Sequence, residues 1–153
     1  MFQALSGVTN AAQPLPNLVT GGQPTEAHFQ ALKAAGVSVV IDLRDPGEAR
    51  PLNEPAVVSG LGMQYINIPI GPMTVLDDAL MDKILTVLRA HADDKVLMHC
   101  ASANRVGGAL IPYFMLDHKM EEEDAVDAAQ RVGLRAAQYL EWAQGYVERH
   151  SNG

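Results

Sequence analysis

The chain has 153 residues, 48% of them apolar and 19% charged, the balance of a soluble globular protein. A formal net charge of −7 with no basic cluster argues against nucleic acid or an anionic membrane as partner, and no apolar run has the length of a membrane span. One cysteine rules out an intrachain disulfide, which suits a reducing cytoplasm; the opening residues show no export signal, and a periplasmic setting would require one already removed.

Residues 1–17, with Pro14 and Pro16, read as an irregular lead-in, and residues 18–153 as one α/β domain. "NLVTGG" is a short apolar run ended by two glycines. Thr25 then opens a helix, "TEAHFQALKAAG", whose Phe29, Leu32 and Ala35 share a face and which Gly36 stops. "VSVVIDL" (37–43) is a β-branched run of the kind buried in parallel sheets, closed by the turn chemistry of Asp45, Pro46 and Gly47. "MQYINIPI" is a second clear strand. Thr74 and Asp77 form a predicted capping box for a long helix striped by Leu76, Leu80, Ile84 and Leu88. "KVLMHC" is a third strand, followed by a helix in "VGGALIPYFMLDH" with a kink at Pro112. "EEEDAVDAAQRVG" and "RAAQYLEWAQGYVERH" complete the chain as helices; Trp142, Leu140 and Tyr146 mark the last as docking on the body or on a second subunit. Strands alternating with helices predict a short, mostly parallel central sheet flanked by helices.

The chemistry concentrates in "VLMHCASANRVGG" (96–108). Cys100 falls where a strand gives way to a helix, the edge at which open α/β sheets bind ligands. The N–H groups of Ala101, Ser102, Ala103 and Asn104 can converge on an anion there, with a helix N-terminus behind them and Arg105 as a planar fork for an oxyanion. Such surroundings favour a thiolate, and a thiolate in an oxyanion cradle is a nucleophile. The plain alternative is a buried apolar cysteine beside a surface ion pair; strand-to-helix placement, small residues and a nearby arginine together favour the functional loop.

This loop resembles the signature loop of cysteine-dependent phosphatases. With "TGGQPTEAHFQALKAAGVSVVIDLRDPGE" and "YINIPI" it is similar to the small bacterial tyrosine/dual-specificity phosphatase-like family, also found fused to metallo-β-lactamase-fold hydrolases. The likeness runs from about Leu18 to Leu116. It implies Cys100 as nucleophile, Arg105 as oxyanion clamp and His99 as support for the thiolate. It also implies a substrate cradle formed by His99, Ala101, Ser102, Ala103, Asn104, Arg105 and Val106. The reaction it implies is hydrolysis of a phosphorylated small molecule or phosphoprotein through a phosphocysteine, without a cofactor.

Three features depart from the phosphatase pattern. Four residues separate Cys100 from Arg105 where phosphatases usually have five; single-domain rhodaneses also have four, although the bacterial phosphatase-like group commonly shows the short spacing. Val106 stands where a hydroxyl usually follows the arginine, leaving Ser102 as a substitute. "INIPI" is followed by Gly71, Pro72 and Met73 instead of an aspartate, so the general acid is sought among Asp77, Asp78, Asp42 and Asp45, with Asp77 first though suited to capping. A persulfide-carrying sulfurtransferase and a weakly catalytic oxyanion-binding domain therefore remain alternatives. Asp45 and Glu48 read as a turn with a local ion pair, and Arg44 is open between that and a pocket wall. The remaining histidines show no metal-ligand spacing, so no metal is expected.

Overall fold

The computed structural model describes residues 1–151. A five-stranded sheet runs in the order β1-β2-β5-β3-β4, built from β1 (Ala12–Leu15), β2 (Leu18–Gly21), β3 (Val39–Asp42), β4 (Gln64–Asn67) and β5 (Val96–His99). Only β1 runs antiparallel to its neighbour. Alternate side chains feed two cores. Val39, Ile41, Val96 and Met98 face one side; Val40 and Leu97 face the other. The second core is closed by α1 (Glu26–Ala34) and α2 (Glu54–Gly60), which bury Phe29, Leu32 and Val58. The first lies under α3 (Asp78–Ala90), α4 (Asn104–Pro112), α5 (Glu122–Val132) and α6 (Ala137–His150). Full burial of each such side chain stabilises the fold by about 1.5–3 kcal/mol.

Two expectations about local structure are corrected. Residues 1–17 are not irregular throughout: Phe2–Leu5 form a 3₁₀ turn and β1 pairs with β2, while Leu5, Val8 and Leu15 are buried. A four-residue strand with no β-branched or aromatic residue and with Pro14 inside it carries little β signal of its own, and Pro14 is tolerated because β1 is an edge strand. The predicted capping box at Thr74 is absent. Thr74 instead closes a turn, its Oγ1 accepting from Gly71 N at 2.8 Å, and Asp77 is the N-cap of α3, accepting from Leu80 N at 2.9 Å. Helix α2 had no counterpart in the sequence reading.

Elsewhere the signals act as expected. Gly36 follows α1 with φ +97°, a conformation that glycine adopts without a Cβ penalty. Beyond Pro112 the helix loosens into a π-helical turn, Tyr113–Asp117, in which His118 N donates to Tyr113 O five residues back. Trp142 docks α6 on the chain's own body, its Nε1 donating to Asp77 O at 2.9 Å. No helix among the described residues is long and apolar enough to cross a membrane.

The parallel register decides where the site lies. Gly21 of β2, Asp42 of β3 and His99 of β5 are level with one another at the carboxyl end of the sheet. The loop leaving β5, the middle strand, therefore opens between the loops leaving its two neighbours.

Candidate active site

Cys100 follows β5 directly and is fully buried at the base of the loop leading to α4. The loop's carbonyl oxygens are engaged on its outside. Ala101 O accepts from Gln23 N at 3.2 Å, Ser102 O from Asn10 Nδ2 at 2.8 Å, and Ala103 O from Gly107 N at 3.0 Å. The amides behave oppositely: among the described residues, none of the N–H groups of Ala101 through Val106 donates to a protein oxygen. Six successive unpaired donors at a helix N-terminus are the makings of an anion site. Ala103 takes the left-handed φ of +69° that carries the chain into α4, at a cost of about 1–2 kcal/mol for a non-glycine residue.

Gly22 supports the loop from behind. A Cβ on Gly22 would lie 2.5 Å from Ala101 O, so only glycine permits the backbone approach that Gln23 N completes. Gly22→Ala is expected to displace the loop and lower stability by about 1–3 kcal/mol, read from urea unfolding.

Arg105 opens α4 and turns back over the loop. Its Nη1 donates to Glu48 Oε2 at 2.7 Å and to Ile70 O at 2.8 Å, and its Nη2 donates to Glu48 Oε1 at 3.0 Å. Two donors, Nε–H and the second Nη2–H, keep no protein oxygen among the described residues. Glu48 thus holds one edge of the guanidinium and leaves another for a bidentate oxyanion. The bond from Arg105 holds the Glu48 carboxyl down at about 2, outweighing the opposing effect of burial, and Asp45 N and Arg44 add to it. Arg105 is raised in turn, chiefly by Glu48 and further by the adjacent Cys100.

A hydrogen-bonded chain links this arginine to the residue before the cysteine. Arg44 Nε donates to Glu48 Oε1 at 3.1 Å and Arg44 Nη1 to Gln23 Oε1 at 2.7 Å. Gln23 Nε2 donates to Glu54 Oε1 at 2.8 Å, and Glu54 Oε2 lies 2.5 Å from His99 Nε2. Burial pushes the Glu54 carboxyl up, but the bond and charge of His99, the bond from Gln23 and the charge of Arg50 together outweigh it and leave the group below its ordinary range. His99 Nδ1 lies 3.3 Å from Cys100 O, so the ring braces the loop from beneath.

Folding also brings Asp42, Glu54 and His99 within 4.8 Å of one another, a set of metal-ligand types that spacing along the chain did not suggest. The Asp42 carboxylate already accepts from Arg44 N, Arg50 Nη2 and Tyr65 OH at 2.6–2.8 Å, and Glu54 from Gln23 and His99. With those oxygens taken by protein donors, the cluster reads as a buried ion-pair network.

A cavity of about 560 Å³ opens over the loop. Ser102, Asn104 and Arg105 line it together with Glu48, Ile70, Gly71, Pro72, Thr74, Leu76, Gln138 and Tyr139. The other members of the expected cradle are placed differently. His99, Ala103 and Val106 are fully buried, so only backbone groups of Ala103 and Val106 can serve a ligand, and the His99 ring faces the carboxylate network. Asn104 lines the cavity while its Oδ1 accepts from Arg135 N and Ala136 N, fixing the start of α6. None of the four aspartates considered as general acid lines the cavity. Asp77 caps α3, Asp78 pairs with Arg149, and Asp42 is buried in its network. Asp45 comes nearest: its Oδ1 accepts from Gly47 N, and its Oδ2 sits where a Cβ on Gly71 would fall. Glu48, read from sequence as part of a local turn, and Arg44, left open between that and a pocket wall, are the residues that connect the site.

A loop of free amides rising from a cysteine at the centre of a mixed sheet suits a cysteine-dependent phosphatase. Residues 7–147 match the family described as DSP-PTPase phosphatase fused to NAD+ kinase, and the chain belongs to that family. It is therefore a cysteine-dependent phosphatase of the protein-tyrosine/dual-specificity-like kind, and the sulfur-transfer alternative is not favoured. No curated protein matches the chain. Among solved structures it is similar to a candidate phosphatase (DUF442) from Shewanella putrefaciens CN-32, at 21% identity over 98% of this chain and 99% of that one, with a TM-score of 0.81. Tk-PTP in its active form aligns at 17% identity over 92% of this chain and 97% of that one, TM-score 0.78. The core catalytic domain of the PP-IP phosphatase SIW14 from S. cerevisiae aligns at 15% identity over 94% and 88%, TM-score 0.77. At these identities the likeness establishes the fold.

Proposed function

We propose that Cys100 is the nucleophile and that the N–H groups of Ala101–Val106, with the open edge of Arg105, hold the phosphoryl group. The observation that carries this reading is the loop's polarity: carbonyls engaged outside, amides unpaired inside. The Cys100 thiolate attacks phosphorus, an S–P bond forms, and the ester P–O bond breaks. Water then attacks phosphorus, the S–P bond breaks and inorganic phosphate leaves. Val106 contributes its N–H alone, since its side chain is buried in the core. The Ser102 hydroxyl, on a residue lining the cavity, is the group we assign to easing thiolate departure. Glu48 positions Arg105. The substrate is a phosphorylated small molecule or phosphoprotein.

Rapid acid quench of the enzyme during turnover of p-nitrophenyl phosphate tests this assignment. Peptide mapping is expected to find a phosphoryl group on Cys100. A sulfane sulfur on Cys100 after incubation with thiosulfate, and no phosphoryl group after the ester, would refute it.

A further inference from the structure

We propose that this phosphatase expels its leaving group as an anion, unprotonated by any side chain, so that leaving-group acidity sets which phosphate esters it hydrolyses. The inference rests on the assignment of Cys100 as nucleophile. It starts from the carboxylates around the cavity. Among the described residues Glu48 is the one carboxylate lining it, and both its oxygens are held by Arg105, with further donation from Arg44 and from Asp45 N. A carboxylate so bound has no proton to give. Asp42, Asp77 and Asp78 are committed to donors away from the cavity. Asp45, the nearest, accepts from Gly47 N, packs against Gly71 and does not itself line the cavity. The segment 71–73, from which the family resemblance would lead one to expect an acid, is Gly-Pro-Met.

The cavity walls point the same way. Among the described residues Arg105 is the one cation lining it, and Glu48 already neutralises that charge. Arg44, Arg50 and Arg135 are tied to Gln23, Asp42 and main-chain carbonyls. Beyond the phosphoryl group a substrate meets Pro72, Leu76 and Tyr139, and the same segment carries Met73 and Val75 on its outer side, 93% and 73% exposed. An apolar ring suits those walls, whereas a second phosphate would find no cation. Phenolic leaving groups are also more acidic than alkyl alcohols and depart more readily without a proton. In the S–P bond-forming step the P–O electron pair leaves on the aryloxide, which takes its proton from bulk water. A positioned acid contributes typically 10²–10⁴-fold, and alkyl esters lose that help here.

The test is a series of phosphate monoesters of graded leaving-group pKa, from p-nitrophenyl through phenyl to alkyl, run on the wild type, Asp45→Asn and Cys100→Ser. kcat/KM is expected to fall steeply, about ten-fold per unit of leaving-group pKa, with the slope unchanged in Asp45→Asn. A shallow slope in the wild type would overturn the proposal, and one that steepens in Asp45→Asn would name Asp45 as the acid. Hydrolysis surviving in Cys100→Ser would overturn the nucleophile assignment and this proposal with it.

Discussion

Cys100→Ser is expected to abolish ester hydrolysis while leaving the fold in place. A serine hydroxyl is almost wholly protonated at neutral pH, and none of the residues around Cys100 is placed to take its proton: His99 faces Glu54 and the Cys100 carbonyl, and Glu48 is bound by Arg105. The loss in kcat should be on the order of 10⁴-fold or more. The exchange is nearly isosteric, so stability should move by about 1 kcal/mol, the cost of seating a hydroxyl in a buried site. Activity on p-nitrophenyl phosphate and urea unfolding measure the two halves. The variant should retain inorganic phosphate binding, because the amides and Arg105 are untouched; simultaneous loss of activity, binding and stability would mean that the sulfur is a packing element.

The largest stability effect should come from Glu54→Ala. Glu54 is fully buried and accepts from Gln23 Nε2 and from His99. Removing it strands a buried imidazole beside the Asp42 carboxylate, 3.8 Å from His99 Nε2, and breaks the chain of contacts that ends at Arg105. Breaking a buried pair from one side costs about 3–5 kcal/mol. Glu54→Gln retains an acceptor of the same shape and should cost less than half of that. The pair also makes stability pH-dependent. Because the folded carboxyl lies below its ordinary value of 4.5, its contribution is complete above that pH and declines as the pH falls beneath it. Chemical unfolding of the wild type and Glu54→Gln from neutrality to well below pH 4.5 should show a difference that is constant above that value and shrinks beneath it.

What the sequence makes readable follows the range of each interaction. The loop from Cys100 to Arg105 is contiguous, and its neighbours are a β-branched strand and a helix, so strand, thiol and guanidinium can be read together. Burial of β3 and β5 is equally local, written in "VVID" and "VLMH". The residues that hold the site in shape act at a distance. Glu48 meets Arg105 across 57 positions, and Glu54 meets His99 across 45. No periodicity encodes such partners. Glu54 did leave one faint mark, since Asn53 and Pro55 around it are the start signals of a short helix. The displaced cap of α3 has another cause: Thr74 and Asp77 both have capping chemistry, and the turn at Gly71 claims the first. The general acid is a different matter, for the sequence lacks an aspartate after "INIPI" and, among the described residues, folding brings no other aspartate to line the cavity.

The N-terminal segment has a consequence for anyone truncating this protein. Asn10 grips the Ser102 carbonyl, Thr9 O receives Gly22 N, and β1 borders the sheet through β2. Expression begun at Leu18, the first residue of β2, would strip a brace from the back of the loop and bare the flank of β2 to intermolecular strand pairing. The first seventeen residues belong in any recombinant version meant to work.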